Sequence, residues 1–158
     1  MAGVVQSNIV SLRCPRRVAR GRTLKLWYLD SSAITKLDRT ERWSAELLAW
    51  SEALGRDERL VSSELAITEV VRAVRRAGGD AAEASRVVCD IDHLVVDRDL
   101  LIASGHLNPP GIRSLDAIHL AAALAFGEDL AGIVTYDNRM AEVARDRGLV
   151  VIAPGSGS

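Results

Sequence analysis

The sequence predicts an α/β domain, with a central parallel sheet of four to five strands covered by helices on both faces. Three observations predict it. Short apolar runs alternate along the chain with segments of helical periodicity, the order that parallel strands with helical crossovers require. The segment 115–126 (LDAIHLAAALAF) is apolar nearly all round, as a buried helix is. The 158 residues, 48% of them hydrophobic, suit one domain with a single sizeable core and exclude a disordered chain.

The first strand is read at 24–29 (LKLWYL), ending at Asp30, with a short helix at 31–36. Over 41–54, Trp43, Leu47, Trp50 and Leu54 fall at i, i+4, i+7 and i+11, one face of a helix that Gly55 stops. A second strand covers 60–62. Ser63 then caps a helix to Arg76, whose inward stripe is Ile67, Val70, Val71 and Val74. Gly78 and Gly79 break the chain before a helix at 80–89, and 94–96 is a third short strand. Residues 99–106 read as helix, and Pro109, Pro110 and Gly111 as loop. Ser114 caps the apolar helix and Gly127 ends it. A strand at 133–136 (IVTY) runs into Asp137, a helix spans 138–147 up to Gly148, and 149–152 is the last strand. The body is one domain over 24–154, and 155–158 reads as a loose tail.

Charge is distributed unevenly. Residues 1–25 hold six basic residues and no acid, which leaves 14 basic against 21 acidic residues in the rest. A body of net charge −7 lacks the broad cationic face of a duplex-coating protein. At 4% aromatic content it also lacks the stacking sheets of single-strand binders, so nucleic-acid contact has to be local. No apolar run approaches the ~18 residues of a membrane span. Cys14 and Cys89 are too few for a disulfide framework, so the expected setting is reducing and cytoplasmic.

Four carboxylates stand where carboxylates are costly. Asp30 and Asp137 follow apolar strands, and ligands of open parallel sheets bind outside the strands' carboxyl ends. The plainer reading is that each caps the next helix. Asp116 lies on the apolar helix, sharing a face with His119 at i, i+3; its plainer reading is a first-turn acid held by the helix dipole, with His119 as partner. Glu69 flanks the apolar stripe of its own helix, where an i, i+3 pair with Arg72 is worth only ~0.2–0.5 kcal/mol. Glu64, in that helix's first turn, needs no more than the dipole. Together the four would repel one another in one cleft. Hard divalent cations with oxygen ligands resolve that, and Mg²⁺ or Mn²⁺ fits best. Zinc fits poorly, because the cysteines are isolated and His93, His106 and His119 lack ligand spacing.

The strings LDSSAITKL (29–37), SELAITEVVRA (63–73), SLDAIHLAAAL (114–124) and IVTYDNRMAEVARDRGLVVI (133–152) closely resemble the PIN domain of VapC-type toxins. Four motifs in the right order make the resemblance specific, and it covers about 24–154. It implies a PIN-like fold and a Mg²⁺- or Mn²⁺-dependent ribonuclease. The family's acidic residues map onto Asp30, Glu69, Asp116 and Asp137, and its hydroxyl-bearing positions near the metal onto Ser31 and Thr135. The implied roles are metal ligation by Asp30, Glu69 and Asp116, with Asp137 holding a second ion or its water. The implied partners are RNA and a cognate antitoxin, in a homodimer or toxin–antitoxin hetero-oligomer. The basic segment 1–23 lies outside the resemblance and reads as a disordered arm or a start-site artefact, with an RNA-gripping tail as the alternative.

Two other classes compete. A receiver-type phosphoacceptor would show adjacent acids after the first strand and a lysine near the last, but Lys25 and Lys36 are the only lysines. An Asp-x-Asp phosphatase fails because Ser32 stands two places after Asp30. A non-catalytic α/β binding module would make both acids and metal dispensable.

Overall fold

A computed structural model describes residues 24–157; the basic segment 1–23, with Cys14, and the last residue, Ser158, lie outside the described residues. The sheet has five parallel strands in the order β3-β2-β1-β4-β5. These are β1 (Lys25–Leu29), β2 (Glu58–Ser63), β3 (Asp92–Leu94), β4 (Leu130–Val134) and β5 (Val151–Ile152). The chain builds outward from β1 through β2 to β3, then crosses back to lay β4 on the other side of β1. The carboxyl ends of β1 and β4 therefore flank the topological switch point, where open α/β sheets bind ligands.

Alternation along the strands divides the core in two. Leu29 and Val134 face one layer, built from α1 (Ser31–Asp38), α2 (Ser44–Glu52), α3 (Leu65–Arg76) and α4 (Ala81–Cys89). Their neighbours Tyr28 and Ile133 face the other, built from α5 (Arg98–Gly105), α6 (Ser114–Leu124) and α7 (Asn138–Asp146). Ile34, Leu47, Val70, Leu120 and Met140 are almost fully buried between these layers. At Gly132 the strands approach so closely that a Cβ would lie 2.7 Å from the Val150 carbonyl and 2.8 Å from the Trp27 ring. No helix among the described residues is long and apolar enough to cross a membrane.

The expected helix order and sheet stand, with corrections at the boundaries. Ser63 is the last residue of β2, so Glu64 occupies the N-cap of α3 and no side chain caps that helix. Ser114 is already inside α6; the extended Arg113 precedes it, again without a side-chain cap. The helix read over 41–54 spans only Ser44–Glu52, so Trp43, left-handed at φ +68°, and Leu54 of the expected stripe lie outside it. β3 lies two residues earlier than expected, β4 ends at Val134, and β5 is only two residues long.

Candidate active site

Asp30 leaves β1 and serves as N-cap of α1, accepting a bond from the Ala33 amide at 3.0 Å. The same oxygen accepts from the Ser32 hydroxyl at 2.6 Å, and the other accepts from the Thr135 hydroxyl at 2.5 Å. With 5% of its surface exposed, burial pushes its carboxyl above the usual range, against the opposing pull of those hydrogen bonds. Thr135 is itself buried and accepts from the Asp137 amide at 3.1 Å, so one hydroxyl ties Asp30 to the start of α7.

Asp137 caps α7, accepting from the Arg139 and Met140 amides at 2.8 and 3.2 Å through one oxygen. The plainer capping readings of Asp30 and Asp137 therefore hold, and they position the carboxylates rather than consume them. Asp116 stands in the first turn of α6, half-buried, and accepts no hydrogen bond among the described residues. Burial raises its pKa, and so do the negative charges of Asp137 and Asp30, with Arg113 and His119 opposing. Asp116 thus shares one electrostatic site with Asp30 and Asp137, whose charges disfavour its ionisation.

Glu69 comes from α3. One of its oxygens accepts from the Ser31 hydroxyl at 2.5 Å and from His119 Nε2 at 2.6 Å. Partial burial pushes its carboxyl up, but the bonds from His119 and Ser31 prevail and hold it below the ordinary range. Its partner is not Arg72, and the partner of His119 is not Asp116. His119 Nδ1 lies 2.7 Å from the hydroxyl of Tyr28, a fully buried phenol that burial keeps protonated. Nε2 donates to the Glu69 carboxylate, and Nδ1 and the Tyr28 hydroxyl pair with each other, so the ring is held from both sides. The chain Tyr28–His119–Glu69 links the two helical layers past the end of β1, and Ser31 sits at its end.

Sequence reasoning missed this relay and the role of Ser32. The signal for Ser32 was the doubled serine after Asp30. For His119 it was a polar residue on an otherwise apolar helix. Glu64 points elsewhere, accepting from the Val96 amide at 3.3 Å. Among the described residues, no three His, Cys, Asp or Glu side chains close into a preformed ion cage. Glu69 is tied to Ser31 and His119, and Asp116 is repelled by Asp137 and Asp30.

The comparisons agree with this architecture. A family model, the PIN domain, matches residues 27–146. The chain is 45% identical over 128 residues to Ribonuclease VapC46 of Mycobacterium tuberculosis (strain ATCC 25618 / H37Rv), covering 80% of this chain and 96% of the relative. It is 36% identical over 132 residues to Ribonuclease VapC47 of Mycobacterium tuberculosis (strain CDC 1551 / Oshkosh), covering 82% and 97%. The crystal structure of Mycobacterium tuberculosis VapC20, described as a sarcin-ricin loop cleaving toxin, superposes with a TM-score of 0.64 over 81% of this chain and 99% of that one. At 14% identity that likeness is one of fold alone.

Proposed function

The chain belongs to the PIN-domain family, among the VapC-type ribonuclease toxins, and on that footing we propose that its cleft hydrolyses RNA with the help of Mg²⁺ or Mn²⁺. It is the toxin of a type II toxin–antitoxin pair, a ribonuclease that inhibits growth or translation when free of its antitoxin. The observation that carries the metal reading is the placement of Asp30, Asp116, Asp137 and Glu69 around the switch point, with Asp116 repelled by both Asp137 and Asp30.

The donors fit such an ion. They are carboxylate oxygens, while Cys89 is exposed and His119 is committed to Tyr28 and Glu69. Asp30, Glu69 and Asp116 would hold the ion, and Asp137 a second ion or the attacking water. When bound, a divalent cation lowers the pKa of water from its bulk ~15.7 and offsets charge developing on the phosphate. Thr135 and Ser31 fix the orientation of Asp30 and Glu69 through bonds of 2.5 Å. If two ions bind, in-line attack of water on phosphorus with departure of the 3′-oxygen would leave 5′-phosphate and 3′-hydroxyl ends. A VapB-type antitoxin, a homodimer or toxin–antitoxin hetero-oligomer, and a cytoplasmic setting belong to the same proposal.

The test is RNA cleavage by the purified protein. EDTA should stop it and Mg²⁺ or Mn²⁺ restore it. Asp30→Asn, Glu69→Gln and Asp116→Asn should each abolish it, and Glu64→Gln should not. A folded Asp30→Asn or Asp116→Asn variant that still cleaves would overturn the assignment.

A further inference from the structure

Beside the carboxylate cleft lies a cavity of about 560 Å³, lined by Trp43, Thr135, Tyr136, Asp137, Asn138 and Arg145 among others. That volume falls in the range of ligand clefts, roughly 300–1,000 Å³. Trp43 stacks on Tyr136, with ring centroids 6.0 Å apart and planes 14° from parallel. The exposed guanidinium of Arg42 lies 4.1 Å above the centre of the Trp43 ring, and Lys36 Nζ lies 4.9 Å from that of Tyr136.

The arrangement is built, not incidental. Lys36 anchors the loop that carries Trp43 by bonding the Arg42 carbonyl at 3.2 Å and pairing with Glu41 at 3.5 Å. The Tyr136 hydroxyl donates to the Pro154 carbonyl at 2.9 Å, and its amide donates to Ser32 Oγ at 3.0 Å, the same hydroxyl that bonds Asp30. Trp43 holds its position at a conformational cost, since φ +68° strains a bulky side chain. Gly155, at φ +84°, lets the backbone pass: a Cβ there would come within 2.8 Å of the Trp43 ring. Such strain persists where the surrounding structure over-determines it, commonly at ligand sites.

We propose that Trp43 and Tyr136 form a stacking shelf for one unpaired nucleobase of the RNA, flanking the phosphate that enters the cleft of Asp30 and Asp137, with the base taking the place of Arg42 over the indole. The proposal rests on the ribonuclease reading and deepens it. Tyr136 lies in sequence between Thr135 and Asp137, so a base on the shelf belongs to a nucleotide next to the cleft. Lys36, Arg42 and Arg145 are placed for its phosphates, and aromatic faces accept any base. The shelf therefore selects single-stranded over paired RNA.

The test is a cycle between protein and RNA, with EDTA and Asp116→Asn preventing cleavage. Fluorescein-labelled octaadenylate is compared with versions abasic at one position each. One abasic position should weaken binding roughly 5- to 160-fold, as loss of one base–aromatic stack does. In Trp43→Leu the same abasic change should cost nothing, while the log–log salt slope stays unaltered. Trp43→Phe should recover most of the affinity, a rescue that loss of folding would not give. An abasic scan as flat in the parent as in Trp43→Leu overturns the shelf, as does failure of the parent to bind the octamer. A Trp43→Leu defect confined to antitoxin binding also overturns it, because the surface then serves a protein partner. If the wild type fails to cleave RNA with Mn²⁺, the ribonuclease reading has failed; if cleavage persists and the scan is flat, only the shelf has.

Discussion

Replacing His119 with Leu should destabilise the domain by about 3–5 kcal/mol, and the magnitude follows from the groups left behind. His119 is 4% exposed and Tyr28 is fully buried, so the phenol loses its imidazole partner with only the Ser63 and Ser62 hydroxyls left beside it, at about 1–3 kcal/mol. The bond to the Glu69 carboxylate contributes a further ~1.5–3 kcal/mol, toward the low end because Ser31 remains. Tyr28→Phe alone orphans only Nδ1. The double variant removes both ends of that bond and should be more stable than the sum of the single losses by about 1–2 kcal/mol. The pH dependence has a fixed sign. Glu69 is held below its ordinary 4.5, so its contribution is present above that value and lost as pH falls through the lower, folded one. The gap between wild type and His119→Leu should therefore narrow below pH 4.5. Urea unfolding in EDTA, followed by tryptophan fluorescence at neutral and acid pH, measures all of this. A His119→Leu loss under about 1 kcal/mol, or strict additivity in the double variant, would refute the relay.

Asp116→Asn should raise the melting temperature of the metal-free protein at neutral pH. The folded pKa of Asp116 lies above its ordinary 3.8, so its penalty grows as pH rises from that value through the folded one. The advantage of the variant should shrink as pH falls toward 4, and Mg²⁺ should stabilise it clearly less than the wild type, which gains ~2.7 kcal/mol at 100 times Kd. Thr135→Val removes the donor to Asp30 and the acceptor for the Asp137 amide. Calorimetry should show a loss of about 2–4 kcal/mol, with cleavage lost as well, whereas Thr135→Ser should keep both.

Asp30 and Asp137 were legible because a carboxylate directly after an apolar strand is costly and sits where such sheets bind ligands. The capping bonds that made the plainer reading attractive turned out to be what aims them. Asp116 was legible for a similar reason, an acid on a helix apolar all round. The bonding of Glu69 was not, because a pattern reading sees Arg72 three residues away and not His119 on another helix 50 residues on. Ser63 and Ser114 looked like caps by type, but the strand and the helix each extend through them. The stripe from Trp43 to Leu54 has helical spacing, yet the loop tied down by Lys36 takes Trp43 out of the helix. These are tertiary constraints, and local periodicity carries no trace of them.

The most direct test of the carboxylate site is a Mn²⁺ titration, with free ion counted by electron paramagnetic resonance in the absence of RNA. Wild type and Glu64→Gln should bind the ion alike. Asp116→Asn should bind it at least about tenfold more weakly, since losing even an outer-shell partner commonly costs that much. Equal binding by wild type and Asp116→Asn, or no binding by the wild type at millimolar Mn²⁺, would contradict a metal site built from these four acids.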